Sequence, residues 1–226
     1  HPVGWAMTLQ NRAGALQAQG TRTAGAAGTA LLAQAVADYT GALEVRTRAD
    51  HPVQWAMTLQ NRAGALNAQG TRTAGEAGAA LLAQAVADYA GALEVFTRAD
   101  HPVDWAGTLY NRANALRAQG TSTAGAAGAA LLAQAVADCT DALEVRIRAD
   151  HPVDWAMTRQ NMARLELARA LHDTCTDPLP HLRAALEHVE AALEVYDPEH
   201  MAFYHQKATA LREALLSEIA RLTPQS

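Results

Sequence analysis

The chain has 226 residues and few of the large side chains that fill a thick globular core: two Phe, five Tyr and four Trp. Half of it is hydrophobic by count, but alanine supplies much of that half. Alanine packs helices closely and has the best helix propensity. Cysteine is nearly missing. Cys139 and Cys175 form no CxxC pair, which excludes a disulfide framework and favours a reducing compartment, the cytoplasm. Basic runs are missing and the formal net charge is −5, which argues against a nucleic-acid partner. No apolar run reaches the length of a membrane span and no signal-peptide pattern occurs, so no membrane partner is expected. A Gly-rich phosphate loop, a nucleophile elbow and an HExxH motif are all missing, so neither an enzyme nor a cofactor is expected. His172 with Cys175, and His200 with His205, are loose pairs short of a zinc site's ligand count, and no metal is expected. Period-two alternation is missing too, which leaves no strands.

What is present is a repeat. His-Pro recurs at His1, His51, His101 and His151, Trp at Trp5, Trp55, Trp105 and Trp155, and Asn at Asn11, Asn61, Asn111 and Asn161. The period is fifty residues without slippage. Residues 1–50 and 51–100 differ at six positions, 4/54, 17/67, 26/76, 29/79, 40/90 and 46/96. The copy 101–150 has drifted further. The fourth, 151–198, keeps Trp155 and Ala163 but has Arg159 and Glu166, as a terminal repeat would. Near-identity of the first two copies indicates recent duplication, which suits a scaffold whose units touch only their neighbours. The chain begins at a repeat boundary without Met, and a fragment of a longer protein is expected.

Each repeat reads as two helices. The first is expected over about 52–69, with Pro52 in its first turn, where a missing N–H is harmless. Trp55, Leu59, Ala63 and Leu66 lie on one face of it and Gly70 stops it. After the turn 71–75, the second is expected over about 76–98. Its buried face is Leu82, Ala85, Val86, Tyr89, Ala92, Leu93 and Phe96. Gly78 near its start costs about 1 kcal/mol of helix stability, so a later start is expected. The fourth copy pairs helices over about 152–172 and 179–196, and a last helix of mixed polarity over 199–222 suits a cap. The four Trp are expected in the core, and the repeated His as a cap or surface residue.

Asn61-Arg62-Ala63-Gly64-Ala65-Leu66-x3-Gly70, followed by Ala85-Val86-x2-Tyr89-x2-Ala92-Leu93, resembles the tetratricopeptide repeat. The lead-in Asp100-His101-Pro102-Val103 and the run Thr58-Leu59-Gln60-Asn61 resemble the longer repeats of kinesin-light-chain type. They are also similar to a fifty-residue bacterial variant with a Trp-Ala-x-Thr opening. The resemblance covers the whole chain, weakly over 162–226. It implies an all-α, right-handed α-solenoid of four helix-turn-helix repeats (1–50, 51–100, 101–150, 151–198) plus a C-terminal capping helix, 199–222. Two departures stand out. The period exceeds the 34-residue unit by about sixteen residues. Arg12, Arg62 and Arg112 stand where the family has Leu, so either the stem packs and the charge snorkels, or Arg pairs with an acid such as Glu44 or Glu94.

Substitutions among the copies cluster on one face of the first helix: Met7/Met57/Gly107/Met157, Gln10/Gln60/Tyr110/Gln160, Gly14/Gly64/Asn114/Arg164 and Gln17/Asn67/Arg117/Leu167. By resemblance this face looks into a concave groove. Either Tyr110, Asn114 and Arg117 tailor it for a ligand, or it drifts on a solvent face. The constant Asn beside it either bonds the backbone of an extended peptide, as the resemblance implies, or bonds a neighbouring helix. The expected function is a non-catalytic interaction scaffold or sensor segment. Its protein or peptide ligand would meet Gln10, Asn11, Gln60, Asn61, Tyr110, Asn111, Asn114, Arg117, Gln160, Asn161 and Arg164. The alternative is a self-assembling element that forms homo-oligomers through repeat ends or swapped helices.

Overall fold

The structure, a computed structural model, describes residues 2–223. These form nine α-helices and no strand: α1 Pro2–Arg22, α2 Gly25–Val45, α3 Pro52–Gly70, α4 Gly75–Leu93, α5 Pro102–Ser122, α6 Gly125–Leu143, α7 Pro152–Ala170, α8 Leu179–Leu193 and α9 Ala202–Leu222. Consecutive helices pack as hairpins, α1 on α2, α3 on α4 and α7 on α8. The chain divides into two compact units, 2–119 and 120–223 among the described residues. None of these helices is long and apolar enough to cross a membrane.

Glycine makes the hairpin turn. Gly25, Gly75 and Gly125 take φ of 66°, 67° and 68°, a left-handed conformation that glycine adopts without strain. Gly78 does not delay α4, which starts at Gly75. A Cβ there would overlap the carbonyl oxygen of Thr73, so the loop closes on a backbone that only glycine leaves open. The same holds for Gly28 under Thr23. The second helix stops at Leu93 rather than running to 98, and Phe96 is buried just beyond its end. The link between hairpins is tied by a reciprocal pair. The Thr47 hydroxyl donates to Asp50 Oδ2 at 2.7 Å, and Asp50 N–H donates to Thr47 Oγ1 at 3.1 Å. Thr97 and Asp100 repeat it. His51, His101 and His151 then supply the carbonyls that Trp55, Trp105 and Trp155 N–H bond at 2.8 Å, the first turn of the next helix.

The first helices α3, α5 and α7 carry two buried seams, and α1 carries one. Ala6, Ala13 and Gly20 lie seven residues apart and are the buried residues of α1. Their equivalents Ala56, Ala63 and Gly70 are buried in α3, which also buries Thr58 and Ala65. Ala65 clusters with Ala13, Ala35 and Tyr39 of the preceding hairpin, while Ala63 and Leu66 cluster with Ala85 and Tyr89 of their own. α1 leaves its second seam open: Thr8 and Ala15 are exposed where Thr58 and Ala65 are fully buried. Arg72 fastens this junction. Its Nη1 donates to the carbonyls of Gly20 (2.7 Å) and Thr23 (3.1 Å) and its Nη2 to that of Thr21 (2.6 Å), satisfying the end of α1.

Two expectations need correction. The tryptophans are not fully buried: Trp55, Trp105 and Trp155 pack against the core from its edge. Trp5 is 49 % exposed, and Trp55, Trp105 and Trp155 are half-buried, with Arg48, Arg98 and Arg148 guanidinium carbons 5.8, 5.9 and 5.3 Å from their rings. The ring of Trp55 lies along the edge of its hairpin, over Gly91, while alanines fill the interior. The acid that meets the repeated arginine is Asp38 or Asp88, on the second helix, and not Glu44 or Glu94. Arg62 grips Asp88 with two bonds of 2.7 Å, and Arg12 grips Asp38 in the same way. Glu44 and Glu94 lie on the exposed side, where Glu94 meets Arg48.

At the other end of the sequence, α9 packs on α8 and buries Ala208 and Leu215, with Tyr204 stacked on Tyr196 at 5.6 Å. Its remaining faces are largely exposed.

Candidate functional site

In the 2–119 unit the first helices lie side by side, and the side chains of the variable face meet across them. Gln17 of α1 accepts the Tyr39 hydroxyl at 3.1 Å and stands against Gly64 of α3, whose added Cβ would lie 3.0 Å from Gln17 Nε2. Gln60 of α3 donates to Thr108 of α5 at 3.1 Å. The Thr108 hydroxyl donates in turn to the Asp104 carbonyl at 2.6 Å. Gln17 of α1 and Gln60 of α3 therefore each reach the neighbouring first helix.

Most of this surface is half-buried. Gln10, Gln60, Asn61, Tyr110, Asn111, Asn114 and Arg117 are all of intermediate exposure, and Asn11 on α1 is exposed. Asn114 Nδ2 donates to the Tyr110 carbonyl at 3.1 Å, one turn earlier. Gln10 Oε1 and Asn67 Oδ1 are buried acceptors without a partner. Buried acceptors are normally satisfied by protein or water, so these two mark where the polar packing is incomplete. Beneath the surface, burial pushes the Tyr39 hydroxyl up to about 12. Burial, and then the charge of Asp88, raises Tyr89 further. Both phenols stay protonated donors at neutral pH. Arg46 is almost fully buried, donates to Thr58 at 3.4 Å, and has its pKa lowered by that burial.

The fourth copy differs. Gln160 and Asn161 lie inside the 120–223 unit, 5 % and 1 % exposed. Gln160 Oε1 accepts the Tyr196 hydroxyl at 3.3 Å, and Asn161 Nδ2 reaches Cys139 Sγ on the neighbouring α6 at 3.6 Å. Here the repeated asparagine bonds a neighbouring helix. Only Arg164 of the expected α7 residues is half-exposed. Among the described residues no group of three or more His, Cys, Asp or Glu is gathered as for a metal ion. His172 Nε2 meets the Thr123 carbonyl at 3.1 Å, and its Nδ1 meets Thr174 at 3.0 Å. His172 occupies the register of Arg72 and fastens the same kind of junction.

Reading the sequence missed Asp38 and Asp88, the junction role of Arg72, and the exchange in the fourth copy. There Arg159 Nη1 meets His188 Nδ1 at 2.9 Å, where His188 holds the register of Asp38 and Asp88. Burial, and then Arg159, lowers the His188 pKa. The signal was the unbroken fifty-residue register, which aligns each of these positions with its equivalents. Comparison with known protein families, curated proteins and solved structures finds no match, and the tetratricopeptide resemblance rests on the residues of this chain.

Proposed function

We propose that the chain is a non-catalytic protein-interaction scaffold of tetratricopeptide type, a right-handed helical array whose first helices form a groove for a peptide or partner segment. The observation that carries this reading is that side chains of the variable face reach the neighbouring first helix, Gln17 of α1 to Gly64 of α3 and Gln60 of α3 to Thr108 of α5. Its seat is in the 2–119 unit: Gln10, Asn11, Gln60, Asn61, Tyr110, Asn111, Asn114 and Arg117. Arg164, on α7, lies in the 120–223 unit. Tyr110 offers a flat apolar face with a polar tip, and Asn and Gln offer paired donors and acceptors for an extended backbone. A cytoplasmic setting fits the two free cysteines. The test is a peptide-display screen against the wild type and the variant Tyr110→Ala, Asn114→Ala, Arg117→Ala. Peptides selected by the wild type are expected to lose at least about tenfold in affinity, some 1.4 kcal/mol. Equal binding by both proteins rejects the surface.

A second reading, self-assembly, has its own support. α1 exposes Thr8 and Ala15 on the seam that α3 buries against a hairpin, and Trp5 is 49 % exposed beside it. A second copy covering this seam would give concentration-dependent light scattering. A monomer throughout a concentration series rejects this reading and leaves the first untouched.

A further inference from the structure

The α7–α8 junction holds a cluster that the other copies lack. In register, Glu166 replaces Leu16, Leu66 and Leu116; Arg169 replaces Gln19, Gln69 and Gln119; His181 replaces Leu31, Leu81 and Leu131. Leu66 and Leu116 are fully buried, so the Glu166 carboxylate stands in a core position, its side chain 8 % exposed. It accepts from Arg169 Nη1 at 2.9 Å and meets His181 Nδ1 at 2.6 Å. Ionic groups buried in place of a leucine layer are seldom more stable than the apolar packing they replace.

Arg169 spends one guanidinium nitrogen on Glu166, and His181 spends Nδ1, which leaves Nε2 and the rest of the guanidinium fork. Both residues line a cavity of about 270 Å³ under the α7–α8 loop, with Leu132 and Thr176. A carboxylate lines it as well, that of Asp177. Asp177 Oδ1 takes the Leu179 N–H at 3.3 Å, and both His172 nitrogens are occupied. Glu166 fixes the planes of Arg169 and His181, as a carboxylate behind a ligand-binding histidine does.

We propose that this cavity is a binding site for a small oxyanion, with Arg169 and His181 as the groups that touch it and Glu166 as the residue that positions them. The proposal is independent of the groove on the first helices and lies in the other unit. Carboxylate and phosphate share the chemistry that the Arg fork and a doubly protonated imidazole recognise, Nδ1–H held by Glu166 and Nε2–H left to donate.

The test titrates the full chain with sodium phosphate and, separately, with sodium acetate, at ionic strength held constant with sodium chloride. The His181 ring signals are followed by NMR and the Tm by calorimetry. A saturable shift of His181 with a rising Tm is expected from at least one of the two anions. Phosphate alone identifies a phosphate site, and a response to both identifies a general carboxylate-type site. Glu166→Leu, Arg169→Gln, His181→Leu restores the residues of the other copies. It is expected to keep the helical spectrum and lose the anion-dependent rise in Tm. Should that variant not fold, Arg169→Gln alone decides, with affinity expected to fall at least tenfold. A wild type that responds to neither anion, or an Arg169→Gln variant that binds as the wild type does, overturns the proposal.

Discussion

At the scale of single residues, burial decides which ion pairs matter. The Arg62 and Asp88 side chains are 15 % and 8 % exposed, so removing one strands the other's charge. Asp88→Ala is expected to cost roughly 3–5 kcal/mol in urea denaturation. Arg12 is 63 % exposed, so Asp38→Ala, in the same register, leaves a charge that water solvates and costs clearly less. Equal losses at the two positions would show that the pair is not governed by burial. His188 adds a pH dependence. Its pKa in the folded chain lies below the ordinary value, so the unfolded chain takes up the proton first. Its contribution is fully present above the unfolded value of about 6.5 and is lost as pH falls from there through the folded value. His188→Gln should flatten the acid limb of the stability curve, measured by denaturation at several pH values against the wild type. An unchanged limb would put the titration elsewhere.

At the scale of elements, the joints were less legible than the helices. The fifty-residue register fixed each helix within a few residues, because Pro at the start and Gly at the end are local signals. The Asp partner of Arg62 was not legible, since 26 residues and a turn separate the two and nothing local distinguishes Asp88 from Glu94. The tryptophans misled because an indole recurring in register with apolar positions reads as core, while only coordinates show it at the hairpin edge under an arginine. Trp55→Ala is therefore expected to cost roughly 2 kcal/mol rather than the larger loss of a buried indole. The variable face of the first helices was legible as a set of substitutions between copies. Its internal bonding was not, because Gln60 to Thr108 joins side chains 48 residues apart. The joint itself can be weighed. Arg72→Ala removes three bonds to the end of α1, with an expected loss of about 1.5–3 kcal/mol in chemical denaturation. Arg22→Ala is the control at the equivalent, exposed position and should stay within about 0.5 kcal/mol. Similar losses from both would mean that the junction does not depend on this arginine.

At the scale of the whole chain, one sequence serves two environments, and that makes the repeat its own control. The first helix of copy one and the first helix of copy two are nearly identical in sequence, yet Ala15 is exposed while Ala65 has no accessible surface. The difference lies in what precedes each helix in space: Ala65 has Ala13, Ala35 and Tyr39 against it. A substitution at the two positions therefore separates helix propensity from packing, because propensity is common to both. Ala15→Glu is expected to change stability by no more than about 0.5 kcal/mol, as on any exposed helical surface. Ala65→Glu places a carboxylate without a partner in a closed alanine layer and should cost more than about 4 kcal/mol, or prevent folding. Denaturation of the two variants in parallel checks this, and comparable effects would mean that the hairpins do not stack on this seam. The same Ala15→Glu variant bears on assembly. If α1 pairs with a second copy through its open seam, the carboxylate abolishes the oligomer while the monomer keeps its stability, a combination that no loss of folding produces.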